Sequence, residues 1–358
     1  MKRILALCLV FMLSLSLVTP AAAGTEGPVT GRFGTSAVPT VNSIVVYTDA
    51  ALTSPATSLT PQQTYWVKVS VTDNDGIGNL SKIYTHLWWD SDTTSGSAWS
   101  GYGAGNTPEL DMGYTFINTA GTWSDAYTSG TTWAFALVSA PTVAQSSDTN
   151  ITTFDFVYSV KIGKAARETT GVDRWQLPAI AEDAQAQTAQ NAVLQGSLYG
   201  LWMNWYGEVI VPSSYTVDWG IVPSGMNFNS ASAVEQITLA AGGVKYIANG
   251  EWLWQYKAAP TWTNGGSQTF TLSASPTTVN TFSLKVWPSG VLGDPITLGL
   301  VLPAGDTFVD GTAGGWTGQP RTAEIGNPTE PSLYLKLSPT VTNGGYFTGA
   351  ITFGIRNY

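Results

Sequence analysis

The sequence predicts an all-β protein, two β-sandwich domains in tandem after a cleaved signal peptide. Three observations carry that prediction. Apolar and polar residues alternate over short segments, as where Tyr65, Val67, Val69 and Val71 fall on one side of a strand and Trp66, Lys68 and Ser70 on the other. Such segments recur between turns of Gly, Pro, Asn and Ser, without long amphipathic stretches. Charged residues make up only 11% of the chain while aromatics reach 12%, so the surface must be built largely from Ser, Thr, Gly, Asn and Gln.

Residues 1–23 read as a signal peptide. Lys2 and Arg3 start it, Ile4 to Val18 is apolar, and Ala21-Ala22-Ala23 offers a small-residue cleavage site. Cys8, the single cysteine, leaves with it, and the mature chain then has neither disulfides nor thiol chemistry. The formal charge of −9 becomes more acidic once Lys2 and Arg3 are removed, which argues against nucleic acid or an anionic membrane as partner. No later apolar run approaches the roughly 20 residues of a transmembrane span. The expected location is secreted, extracellular or at the cell surface. Residues 24–38 carry Gly and Thr with Phe33 as the large apolar residue, and are expected to be a flexible or strand-donating N-terminal segment.

Domain 1 is expected over residues 39–212. Val41 to Thr48 is its first strand, followed by Gln63 to Asp92, two sandwich strands joined by the acidic turn Asp73-Asn74-Asp75-Gly76. A Ser/Gly-rich surface loop with Trp99 and Tyr102 follows. Strands are then expected at Leu110 to Ile117, Trp133 to Val138, Ile151 to Ile162 and Trp175 to Ala181. Ala181 to Gln190 has helix-favouring composition without an apolar stripe, and predicts a short exposed helix or turn. Leu198 to Val211 predicts a buried strand pair or a junction between domains. Domain 2, residues 213–358, repeats the strand-and-turn pattern, with strands expected at Glu235 to Ala240, Val244 to Ala248, Gly250 to Lys257, Gln268 to Ser273, Thr281 to Trp287, Pro295 to Leu302, Leu333 to Leu337 and Tyr346 to Ile355.

Few residues point to chemistry. Asp73, Asp75, Asp90 and Asp92 are candidate calcium ligands because oxygen donors spaced two apart can converge on a hard cation. Ile77 stands where a third loop ligand would fall, however, and a plain Asx turn explains the same residues. No other cofactor is expected. His86 is the only histidine, so a multi-histidine zinc site is ruled out; neither a G-x-S-x-G elbow nor a phosphate-binding glycine loop is present. Paired carboxylates are the remaining enzymatic route, with Glu182, Glu208, Glu251 and Glu324 as candidates, but no spacing singles out a pair, and no catalytic residue is assigned. Trp252, Trp254 and Tyr256 share one face of a strand and could stack sugar rings together with Trp99 and Tyr102, or could be sandwich core. Asn79 and Asn150 begin N-x-Ser/Thr sequons and are candidate glycosylation sites.

The arm Val69-Ser-Val71-Thr-Asp73-Asn-Asp75-Gly76-Ile77-Gly-Asn-Leu80, with the later Trp175-x-x-x-Ala179-x-Ala181-x-Asp183, resembles Ig-like sandwich domains of prokaryotic cell-surface proteins. Leu177-Pro178 interrupts the alternation that such domains show at the second motif. The stretches Asp218-Trp219-Gly220 and Tyr346 to Thr352 are similar to envelope and fibre domains. The resemblance implies Ig-like or jelly-roll-like sandwiches and a non-catalytic structural subunit of a surface layer, sheath or extracellular fibre, whose partners are copies of itself joined through strand edges. The alternative is a secreted carbohydrate-binding or adhesive module whose partners are cell-envelope glycans. A carboxylate-based glycosidase is the third expectation.

Overall fold

The protein is described by a computed structural model covering residues 37–90, 111–128, 130–171, 174–186, 188–191, 200–212, 218–226, 234–236, 244–287, 300–302, 308–310, 317–318, 327–329 and 332–358. The fold is all-β. In chain order the first part holds β1 (Thr40–Tyr47), β2 (Ser58–Leu59), β3 (Thr64–Thr72), β4 (Leu80–Asp90), β5 (Asp111–Thr119), β6 (Thr122–Thr128), β7 (Ala134–Ser139), α1 (Val143–Ser147), β8 (Thr153–Lys161), β9 (Arg174–Gln176), β10 (Ala179–Asp183), β11 (Thr188–Asn191) and β12 (Trp202–Met203). One sheet has the order β1-β3-β8-β7 and the other β11-β10-β4-β5-β6, with β9 also on β4.

The opening arm behaves as its alternation demands. Tyr65, Val67, Val69 and Val71 are buried, and the Asp73–Gly76 turn then carries the chain into β4, which belongs to the opposite sheet. The two sheets meet through aromatic side chains. Tyr114 of β5 stacks on Tyr158 of β8 with centroids 4.1 Å apart, and Phe116 packs edge-on against Phe156 at 5.2 Å. The buried Thr85 hydroxyl bonds the Tyr158 hydroxyl at 3.0 Å, so the polar tip of that ring is not left unsatisfied.

Two local structures differ from the sequence expectation. Ala181 to Gln190 is not helical: Ala179↔Asn191 to Glu182↔Thr188 pair as an antiparallel hairpin whose inner face is Ala179, Ala181 and Asp183. Small inward residues supplied too weak an apolar signal, and pairing with β4 overrode the propensity. The helix lies instead at α1, where Thr142 and Gln145 form a capping box. Its Ser146 carbonyl sits so close to Gly78 that any Cβ there would overlap it, which requires glycine at that position.

The second part holds β13 (Gly207–Ile210), β14 (Val234–Gln236), β15 (Val244–Ala248), β16 (Trp252–Ala258), β17 (Thr261–Thr263), β18 (Thr269–Leu272), β19 (Thr281–Trp287), β20 (Leu300–Val301), β21 (Val309–Asp310), β22 (Thr317–Gly318), β23 (Asn327–Thr329), β24 (Ser332–Leu337) and β25 (Ile351–Asn357). Its sheets are β13-β15-β23, β14-β24-β19-β18-β17 with β20 on β19, and β21-β16-β22 with β25 also on β16. Buried apolar residues form two clusters, one running from Val41 to Met203 and the other from Val244 to Phe353, with Trp205 and Val209 packed on the second.

Between the clusters lies a polar junction centred on Asn249, which is fully buried. Its Nδ2 donates to the carbonyls of Ala166 and Asn204, both at 2.8 Å, and its Oδ1 accepts the Tyr206 N–H at 2.6 Å. Its own carbonyl accepts the Glu168 N–H at 2.9 Å. Beside it Lys164 and Glu208 form an ion pair at 2.6 Å, and the Tyr206 hydroxyl donates to the same Glu208 oxygen at 2.8 Å.

Burial by itself raises the Glu208 pKa, but the bonds from Lys164 and Tyr206 more than offset it and hold the carboxyl below its ordinary value of 4.5. Its stabilising contribution is therefore fully present above pH 4.5 and is lost as pH falls through the lowered folded-state value. Glu208→Gln is expected to cost about 1 kcal/mol at pH 7, since both partners are part-exposed and screened. Urea titrations from pH 7 to pH 3 check this: the variant should lose that portion of the acid-induced destabilisation.

Candidate functional site

The Asp73 turn is closed by the protein's own hydrogen bonds. Asp73 Oδ1 accepts the Asp75 N–H at 2.8 Å and Oδ2 accepts from Asn79 Nδ2 at 3.3 Å, while Asp75 Oδ2 accepts the Ala37 N–H at 2.7 Å. Burial is the main reason the Asp73 carboxyl lies above the ordinary range, and the neighbouring charges of Asp75 and Asp183 add to it. The backbone of the predicted calcium ligand Asp90 lies far from Asp73 and Asp75. Asp90 is at the far end of β4 from Leu80, roughly 30 Å of strand away from the turn, and Asp92 lies outside the described residues. Among the described residues no three His, Cys, Asp or Glu side chains are grouped to hold a metal.

The predicted sugar platform is a second correction. Trp252, Trp254 and Tyr256 do share one face of β16, but all three are buried. Trp252 stacks on Trp254 at 5.2 Å and on Tyr246 at 5.1 Å, and Tyr256 meets Phe353 edge-on at 5.8 Å. Their faces are thus taken up by core, leaving none open to a sugar ring. Trp99 and Tyr102 lie outside the described residues. Of the sequons, Asn79 is half-buried with its amide nitrogen donating to Asp73 and Gln185, whereas Asn150 is exposed and bonds Asp148. A glycan on Asn79 would have to replace both of those bonds.

His86 is buried in β4 opposite Gly113, with its backbone N–H donating to the Pro178 carbonyl at 3.2 Å. The candidate acids are dispersed. Glu182 accepts from Ser81 at 3.1 Å, Glu208 is held by Lys164, Glu251 is exposed, and Glu324 lies outside the described residues. Glu168, at the junction, has a raised pKa as Asp73 does, mainly through burial, with a bond from Asn357 opposing it and the Glu251 charge adding to it.

The concave feature of the described residues is elsewhere. A groove of about 910 Å³ opens at the end of the second part that faces away from the junction. Its floor is Trp262, Phe270, Phe282 and Leu335, and its rim carries Trp219 and Phe347. Ile221, 98% exposed, and Tyr346, 85% exposed, stand over it. Trp262 lies flat against Gly349, where any side chain would collide with its indole. The indole N–H groups of Trp219 and Trp262 are buried without a protein acceptor. Among the described residues Asp218 is the one charged residue of the lining. Sequence reasoning missed this groove because its walls come from residues 211–222, 262–282 and 335–351, and no local spacing links them.

The chain matches no protein-family model, and a search of curated proteins finds no relative.

Proposed function

We propose that the chain is a non-catalytic structural subunit of a prokaryotic cell-surface assembly, a surface layer, sheath or extracellular fibre, that associates with copies of itself through strand edges. One observation carries this reading: two strands at sheet edges, β7 and β25, carry few of the charges that ordinarily block edge-to-edge pairing. β7 ends the first sheet, contains no charged residue and turns Ala134, Ala136 and Val138 outward, the last 51% exposed. Among the described residues β25 has β16 as its one paired neighbour and carries a single charge, Arg356. Its location at the surface and export through residues 1–23 belong to the same proposal.

Sedimentation velocity over a concentration series tests it. The chain beginning at Gly24 should form oligomers, and Val138→Lys combined with Thr352→Lys should weaken association by about tenfold or more, by placing lysines on both edges. A protein that remains monomeric at the highest concentration sinks the reading. A glycan-binding module is the second reading, favoured now only by the exposed Tyr346 and the neighbouring Trp219 rather than by β16. Glycan-array binding abolished by Tyr346→Ala would support it.

A further inference from the structure

We infer that the groove at the outer end of the second part receives the N-terminal segment, residues 24–36, of a second copy, so that copies join head to tail. The inference rests on the self-assembly reading but names a surface distinct from the strand edges.

Chain direction fixes the geometry. The chain enters the described structure at Ala37, whose N–H is bound by Asp75 beyond the Thr72 end of β3. The opposite, Thr64 end of β3 pairs with Lys161, a few residues before the junction at Lys164 to Glu168. In the second part, the Trp252 end of β16 adjoins that junction through Gly250, Glu251 and Asn357. The Ala258 end runs away from it, to Ala259 and Ala350 beside the groove. Within residues 37–358, Asp75 and the groove therefore lie on opposite sides of the junction.

Reach then decides which copy is the donor. From Phe33 to Ala37 is four residues, about 14 Å when fully extended. β3 alone, with 9 residues, covers roughly 26 Å between the Asp75 end and the junction, before any of the second part is crossed. Phe33 cannot reach the groove of its own chain, but the corresponding groove of a neighbour is open to it. Such a contact joins different surfaces of the two partners and propagates as a filament or closes as a ring.

The chemistry of the two surfaces agrees. Among the described residues the groove presents apolar and aromatic walls with a single acid, Asp218, and residues 24–36 carry Val29 and Phe33, with the base Arg32 beside Phe33 and the acid Glu26 seven residues before it. The unpartnered indole N–H of Trp262, a residue only 8% exposed, lacks an acceptor of the kind that an extended segment supplies through its backbone carbonyls. Apolar walls of this extent, with few polar side chains among the described residues, suit a peptide better than a sugar, whose hydroxyls need many polar partners.

Disulfide trapping tests the inference in the chain from Gly24 to Tyr358, which has no natural cysteine. A mixture of Phe33→Cys and Ile221→Cys proteins should form linked dimers at about tenfold or more the rate of Phe33→Cys mixed with the exposed control Val143→Cys, through the raised local concentration of a docked segment. The double variant Phe33→Cys/Ile221→Cys should yield a ladder of linked oligomers. Arg32→Glu should lower trapping about threefold, and an Asp218→Arg partner should restore it.

A monomeric, internally linked product from the double variant, or trapping no faster than the control, would overturn the inference. If the wild type still oligomerises in that case, strand-edge assembly stands while groove docking falls; a wild type that never oligomerises removes both. Thiol labelling of Ile221→Cys separates the occupants: slowing by a synthetic peptide of residues 24–38 supports the inference, and slowing by soluble oligosaccharides alone overturns it in favour of a glycan.

Discussion

Replacing Asn249 by leucine is expected to destabilise the protein by about 3–5 kcal/mol, a large share of the stability of an ordinary domain. The side chain is fully buried and serves three main-chain groups at once, accepting from Tyr206 and donating to Ala166 and Asn204. Leucine keeps the branched shape and the number of heavy atoms but is bulkier, and it leaves an N–H and two carbonyls without that partner, each such loss costing about 1–3 kcal/mol. Aspartate should be worse than leucine. It keeps the acceptor for Tyr206 but turns a carboxylate oxygen toward the two carbonyls, where the amide donated. Equilibrium urea unfolding followed by far-UV circular dichroism measures both variants. A loss below about 1 kcal/mol for leucine would mean that water enters and replaces the amide.

Trp252→Ala is expected to cost about 3–5 kcal/mol, the range for truncating a large buried aromatic side chain. The indole is fully buried between Tyr246 and Trp254, so its removal leaves a cavity and two ring faces without contact. Trp252→Phe, which retains one ring for those stacks, should recover roughly half of the loss. Differential scanning calorimetry separates this from a surface role: a residue on an open sugar platform would change stability little when shortened.

What the sequence made legible was alternation with large side chains. β3 and β8 could be read residue by residue because Tyr65, Val67, Val69 and Val71, and likewise Phe156, Tyr158 and Val160, are bulky and strictly spaced. β6, Thr-Trp-Ser-Asp-Ala-Tyr-Thr, was not identified, for only Trp123 of that strand is buried. The turn before it would have been the better signal, since Ala120 and Gly121 both adopt positive φ, at 52° and 87°, as a tight hairpin turn requires. Trp175 to Ala181 reads as a strand, which covers the start of β10, but its continuation into β11 reads from helix-forming composition because alanine reports burial weakly, and the hairpin becomes apparent only once β4 supplies its partner. At the sites, periodicity placed Trp252, Trp254 and Tyr256 on one face correctly but could not say whether that face was open. That depends on Tyr246 and Phe353, one strand before and nearly a hundred residues after. The groove is legible only in three dimensions for the same reason.

The short parallel pair of β2 with β12 has a consequence for the order of folding. Ser58 and Leu59 align with Trp202 and Met203, and beside them Asn204 bonds Thr60 across a sequence separation of 144. Two main-chain strands of two residues each contribute little to stability, but they tie the earliest part of the first core to its last residues. Leu59 and Met203, both buried, cannot acquire their native neighbours until nearly the whole first part has been synthesised. Hairpins such as β5–β6 can form early from neighbouring residues, whereas closure of this strap spans a sequence separation of 144. A chain truncated before Trp202 should therefore remain compact but unlatched, whereas in the longer chain the slow step should be governed by this contact rather than by the large central strands.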